Sequence, residues 1–164
     1  MVSNKSGSPG SVRTRSISQD MPCVAGTLRR ASRSLARLYD VHLGRAGLTT
    51  TQFSILRTLE RHGGRAPLGP LADELVFERT SLFRALAPLR RARLIVIRPG
   101  ADRRSKDVCL TKRAAARIAA ATPHWMDAQR IALAAVGSDG WLALARRLRP
   151  LTAGARAASA AHAE

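Results

Sequence analysis

The sequence predicts a mainly α-helical fold carrying one small β-hairpin, with helices on either side of it. Three observations lead there. Apolar residues recur at intervals of three and four along most of the chain, the period of amphipathic helices. One pair of short apolar runs, residues 94–97 and 108–110, flanks a turn-forming Pro99-Gly100 pair, as a hairpin requires. The length of 164 residues with 45% hydrophobic content is enough for one domain with appendages and a real core, so disorder of the whole chain is not expected.

Charge bounds the function. Lys and Arg number 28 against 11 Asp and Glu, a formal +17 with a pI near 11.8. Such a surface attracts polyanions, above all nucleic acid, or an anionic membrane. No apolar run approaches the roughly 18 residues of a membrane span, so no membrane partner is expected. Residues 1–20 are Ser-rich with scattered Arg and Lys and lack the apolar segment of a secretory signal; they are expected to form a disordered basic arm. Cys23 and Cys109 lie far apart without metal-ligand spacing, which fits a reducing cytoplasm better than a disulfide scaffold.

The elements follow in order. From Pro22, the apolar positions Val24, Leu28, Ala31, Leu35, Leu38 and Val41 alternate with Arg29, Arg30, Arg33 and Arg37, predicting an amphipathic helix that ends near Gly44 or Gly47. Thr49 stands three residues before Gln52, the spacing at which each side chain satisfies a free backbone N–H of the other, and Gly63-Gly64 supplies the stop of a helix over 49–62. Residues 67–76 predict a short helix with Leu68, Leu71, Ala72 and Leu75 inward, and residues 78–94 supply another. Two helices joined this tightly indicate a helix-turn-helix.

On a wheel at 100° per residue, Glu78, Leu82, Ala85, Leu86 and Leu89 fall on one side of the second of these helices. Thr80, Arg84, Ala87 and Arg91 fall opposite, flanked by Ser81, Phe83 and Pro88. Hydroxyls and guanidiniums near a helix start are what a helix in the major groove offers to base edges and phosphates, and its free N–H groups favour a phosphate too. For that helix alone, an ordinary amphipathic surface helix with solvated arginines is the favoured reading.

The hairpin changes the balance. Strands at about 94–98 and 106–110, joined by RPGADRRS, place a two-stranded ribbon directly after the helix-turn-helix, which makes a winged helix. Residues 84–106 carry eight cations (Arg84, Arg90, Arg91, Arg93, Arg98, Arg103, Arg104 and Lys106) against Asp102 alone. A tip built only to keep a hairpin soluble would be served by mixed signs. A cationic tip suits a narrow minor groove, whose negative potential draws in Arg, and Asp102 is placed to hold Arg104 in one rotamer. Fold signals and charge together point to DNA binding.

Residues 22–44, GLTTTQFSILRTLE, PLGPLADELVFERTSLFRALAPL and DRRSKDVCLT together resemble the MarR (multiple-antibiotic-resistance regulator) family of bacterial transcription factors over about residues 23–149. The most specific part is the wing signature Asp102, Arg103, Arg104, Leu110 and Thr111. The resemblance implies a cytoplasmic homodimer of winged helix-turn-helix subunits on a pseudo-palindromic double-stranded DNA operator, usually a repressor released by a small ligand or by oxidation, and not an enzyme. By position, Arg79, Thr80, Ser81 and Arg84 match the recognition helix and Arg104 the wing arginine; Phe83, Asp102, Arg103 and Lys106 complete the expected DNA-contacting set. Two departures stand out: Arg93 and Ala114 occupy places where the family commonly has Gly. Pro88 inside the recognition helix is expected to bend or loosen it.

The domain plan is then an arm (1–20), an N-terminal dimerisation helix (21–46), the DNA-binding domain (47–111), C-terminal dimerisation helices (112–156) bent at Pro123 and Pro150, and a flexible tail (157–164). Apolar residues such as Ile118, Trp125, Ile131, Trp141, Leu144 and Leu148 exceed what two terminal helices can cover alone, which favours a symmetry mate over docking on the chain's own core. Tyr39, His42 and Phe53 fall where the family's effector cleft runs and fit a phenolic or carboxylate effector, although core packing is the commoner fate of such residues. Cys23 resembles the peroxide-sensing cysteine of some members, against the commoner role of a buried thiol. His62, His124 and His162 lack the spacing of a metal site, and neither metal nor cofactor is expected. No nucleophile, base and orienter set supports an enzyme. The alternative to a sequence-specific regulator is an architectural binder acting on phosphates alone.

Overall fold

The computed structural model of the protein describes residues 20–101 and 105–162. Helix α1 (Val24–Leu43) passes through a short 3-10 turn (Gly44–Ala46) to α2 (Thr50–Arg61). Strand β1 (Arg65–Pro67) leads into α3 (Leu68–Leu75) and α4 (Arg79–Arg91), then β2 (Ile95–Pro99), β3 (Lys106–Leu110), α5 (Lys112–Ala134) and α6 (Ser138–Ala161). The capping box forms as its spacing requires: Thr49 Oγ1 accepts from Gln52 N, and Gln52 Oε1 accepts from Thr49 N.

The ribbon is three-stranded, not two-stranded, in the order β1-β3-β2 with both pairings antiparallel. Strand β1 has only three residues, and Pro67 at its end lacks the N–H that a ladder uses, so no alternation marks it in the sequence. Its Arg65 donates from Nε to Asp107 Oδ2 at 2.6 Å, tying the outer strand to the wing through a buried carboxylate. That contact raises the Arg65 pKa. Strand β2 begins one residue later than expected.

Other boundaries shift as well. Helix α1 starts at Val24 because Cys23 is its N-cap. Helices α4, α5 and α6 run on through Pro88, Pro123 and Pro150, so none of these prolines ends its helix. Helix α6 passes the expected end at 156 and reaches Ala161, so the first part of the expected flexible tail is helical. The basic arm lies outside the described residues apart from Asp20.

The core sits between α2, α3, α4, the sheet and the first half of α5, built from Ile55, Leu56, Leu59, Leu71, Leu82, Leu86, Leu89, Ile95, Val108 and Ile118. At the turn of the helix-turn-helix, Val76 closes α3 in the left-handed region at φ 56°. A β-branched residue there is strained, whereas Gly is the usual helix terminator. Arg93 at φ 57° keeps the backbone that a glycine would adopt, held by Thr111, whose hydroxyl donates to Arg93 O at 2.8 Å. Ala114 is fully buried in the first turn of α5 and leaves that helix intact. Val76→Gly is expected to raise the melting temperature by about 2–4 °C, the effect of roughly 1 kcal/mol in a chain of this size. A thermal scan with an unchanged or lower midpoint would show the strain to be absent.

Candidate nucleic-acid interface

Helix α4 is oriented by Leu82, Leu86 and Leu89, all buried, which seat it on the core. The opposite surface of its first turns is therefore turned outward: Arg79, Thr80, Ser81, Phe83 and Arg84 are all exposed. Glu78 belongs with them rather than with the inner side, because as N-cap it precedes the helical wheel and is exposed. Ala87 and Pro88 are half-buried, so the outward face is narrower than the wheel implies. Glu78 makes no side-chain cap hydrogen bond at the α4 N-terminus. The first-turn N–H groups thus have no side-chain acceptor at the N-cap and retain the helix dipole's preference for an anion.

The wing approaches that face directly. Lys106, the first residue of β3, places Nζ 5.3 Å from the centroid of the Phe83 ring, a cation–π contact linking sheet to helix. An open groove of about 600 Å³ runs between these elements, lined by Pro67–Pro70, Arg79, Thr80, Phe83, Ser105 and Lys106. Gly100, where β2 enters the wing tip, has no room for a side chain: an added Cβ would lie 2.0 Å from Ser105 Oγ and 3.2 Å from Asp107 Oδ1. The expected wing residues Asp102, Arg103 and Arg104 lie outside the described residues. Among the described residues, Arg79, Arg84, Arg90, Arg91, Arg93 and Arg98 enter no ion pair within 4.0 Å, and neither does Lys106. Their charge remains available to a polyanion.

A second cavity, about 350 Å³, opens between α1, α2 and α5. Tyr39 and Phe53 line it as expected, together with Thr50, Ser54, Arg57, Arg61 and Trp125. Phe53 and Trp125 stand with ring centroids 6.2 Å apart. The Tyr39 hydroxyl donates to Gln129 Oε1, and burial raises its pKa. His42 does not line this cavity; it sits on α1 with Nδ1 buried and without a hydrogen-bond partner among the described residues. The family resemblance groups it with Tyr39 and Phe53, but the rotation of α1 turns it away from this cavity. Trp125 was missed because a residue on α5 meets α2 only in three dimensions, whereas Arg57 and Arg61 follow Phe53 on α2 at helical spacing, a signal that could have found them. Both guanidiniums are also engaged in the protein, Arg57 with Glu60, and Arg61 with Glu74 at 2.9 Å.

Cys23 is exposed at the start of α1 and its Sγ accepts from Gly26 N at 3.4 Å. Cys109 is half-buried in β3, and neither is in a disulfide. No cluster of His, Cys, Asp and Glu suited to a metal occurs among the described residues. No helix among them is long and apolar enough to cross a membrane.

A recognition helix, a flanking cationic wing and buried leucines behind them define a winged helix-turn-helix DNA-binding protein. The MarR family model matches residues 46–105. The transcriptional regulator MosR of M. tuberculosis, solved in complex with DNA, is similar to this chain at 36% identity with a TM-score of 0.75, covering 83% of this chain and 98% of MosR. The chain belongs to the MarR family of transcriptional regulators, which are DNA-binding proteins and not enzymes. The same fold recurs in AbsC, a MarR family regulator from Streptomyces coelicolor (22% identity, TM-score 0.74, 88% of this chain and 99% of that one). It recurs again in NadR in complex with 4-hydroxyphenylacetate (23%, 0.67, 82% and 96%). No curated protein sequence gives a significant match.

Proposed function

We propose that the protein is a homodimeric, sequence-specific transcriptional repressor that leaves its operator when a small aromatic anion occupies the cleft of Tyr39, Phe53 and Trp125. The observation that carries the DNA reading is the junction of α4 and β3. Exposed hydroxyls and guanidiniums of the helix lie beside a wing lysine, over a core that fixes both. DNA is the ligand of MosR, the relative at 36% identity, which supports the same partner here. Arg79, Thr80, Ser81, Phe83 and Arg84 then face the major groove, and Asp102, Arg103, Arg104 and Lys106 act from the wing. The protein works on the nucleoid of a bacterial cytoplasm.

Release by a ligand fits the cleft better than release by oxidation. Three aromatic side chains flanked by Arg57 and Arg61 offer stacking together with cationic hydrogen-bond donors, the complement of a phenol bearing a carboxylate. The phenolic carboxylate bound by NadR is a ligand of that chemistry. Filling a cleft between the α1–α5 frame and α2 biases the spacing of two DNA-binding lobes by whatever differential affinity the ligand has for the two arrangements.

The test compares the DNA upstream of the protein's own gene with random duplex across a salt series. Affinity for both falls with a log–log slope of about −0.9 per phosphate neutralised, while a regulator keeps a ratio of about 10³ or more between them. Millimolar 4-hydroxyphenylacetate is expected to lower that ratio. Equal affinity for both DNAs at every salt concentration would instead identify an architectural binder.

A further inference from the structure

Phe83 stands apart on α4. The helix buries its leucines, yet this aromatic ring is 39% exposed, three residues beyond Thr80 and next to Arg84 on the outward side. Between residues 47 and 111, Val76 and Phe83 are the large apolar side chains left exposed among the described residues, and Val76 is explained by its place in the turn. The ring also does not hang free: Lys106 Nζ lies over it at 5.3 Å, and both line the groove between helix and wing. One face is therefore occupied by the cation, which orients the rest of the ring along the helix surface.

A benzyl group has no donor or acceptor for the polar edges of bases. Set against guanine O6, adenine N6 or cytosine N4, it would strip water from them and give nothing back. The major groove displays one apolar feature, the 5-methyl group of thymine. Resting on the proposed DNA-binding function, we propose that Phe83 reads a thymine through its 5-methyl group, with Lys106 holding the ring in place and reaching the adjacent phosphate. The division of labour is specific: Thr80, Ser81 and Arg84 supply hydrogen bonds, and Phe83 supplies the apolar contact.

The test uses the full-length protein and a duplex selected by repeated rounds of binding from a random pool. Each thymine of the selected duplex is replaced singly by deoxyuridine, which removes the methyl group and leaves every hydrogen-bonding edge unchanged. At one position, or its symmetry equivalent, wild-type affinity is expected to fall about fourfold, the effect of losing one buried methyl. Phe83→Ala should bind the thymine duplex more weakly and show no loss at that position, while Phe83→Leu should retain part of it. A wild-type protein indifferent to every uridine overturns the proposal without help from any variant, and so does a Phe83→Ala protein as sensitive as wild type. Either result leaves the regulator reading standing if the selection yields a preferred sequence. Failure of the selection to enrich any sequence removes both.

Discussion

The triple variant Arg79→Ala, Arg84→Ala, Lys106→Ala is expected to bind operator duplex on the order of a hundredfold more weakly at 0.15 M salt. The magnitude follows from counterion release. Each phosphate contact contributes about 0.9 to the slope of log affinity against log salt, so losing three lowers the slope by roughly 2 to 3. At 0.15 M salt that slope difference amounts to about two orders of magnitude, and it vanishes as salt approaches 1 M. Folding should be nearly untouched, since all three side chains are exposed and without an ion pair among the described residues. Fluorescence anisotropy across a salt series, beside a thermal scan, separates the two effects. The single variants divide the roles further. A residue that touches only phosphate weakens all sequences equally, whereas one that reads a base also narrows the gap between operator and random DNA. An unchanged slope in the triple variant would place the phosphate-binding surface elsewhere.

The parts of this interface legible in the sequence are those fixed by local periodicity. Leu82, Leu86 and Leu89 bury as their spacing demands, and that alone turns Thr80, Phe83 and Arg84 outward. The Thr49–Gln52 box forms because both partners lie within one turn. Strand β1 was not legible, because its three residues gain their order from pairing with residues some forty positions later, with Arg65 opposite Cys109. The same reason hid Asp107, which in sequence adjoins the cationic tip and in the fold is buried against Arg65. Helix propensity does not report that Pro88, Pro123 and Pro150 are accommodated: a proline removes one N–H, and the surrounding helical turns and packing decide whether the helix continues. The cavity between α1, α2 and α5 was half legible. Tyr39 and Phe53 come from adjoining helices and Arg57 and Arg61 follow Phe53 at helical spacing, but Trp125 enters only when α5 folds back against them.

Leu35→Glu and Leu144→Glu, one on each terminal helix, are expected to yield monomers that lose about 10²- to 10⁴-fold in operator affinity. Along α1, Val24, Leu28 and Leu35 recur on one stripe at 53%, 38% and 41% exposure; along α6, Trp141, Leu144 and Leu151 do so at 38%, 43% and 41%. Helix α6 spans 24 residues, and among its described side chains none is buried in the single chain. An isolated helix owes most of its stability to a packed apolar face, so one this long with none implies cover from outside the chain. Its contact with α3 is polar: Arg156 donates to Asp73 O at 2.9 Å. In the proposed homodimer a second copy would offer the same two stripes, and a twofold axis would let both be covered at once. Covering the remaining exposure of each such side chain contributes on the order of 1 kcal/mol, and a carboxylate in its place reverses the sign. The loss in DNA affinity has a different origin. Two linked lobes bind the second half-site at a high effective concentration, and a monomer forfeits that gain without losing any contact at the first. Analytical ultracentrifugation reads the assembly state and gel shift reads the affinity. A variant that sediments as a dimer yet fails to bind, or a wild-type protein that is monomeric at micromolar concentration, would separate the terminal helices from the DNA-binding role assigned to them.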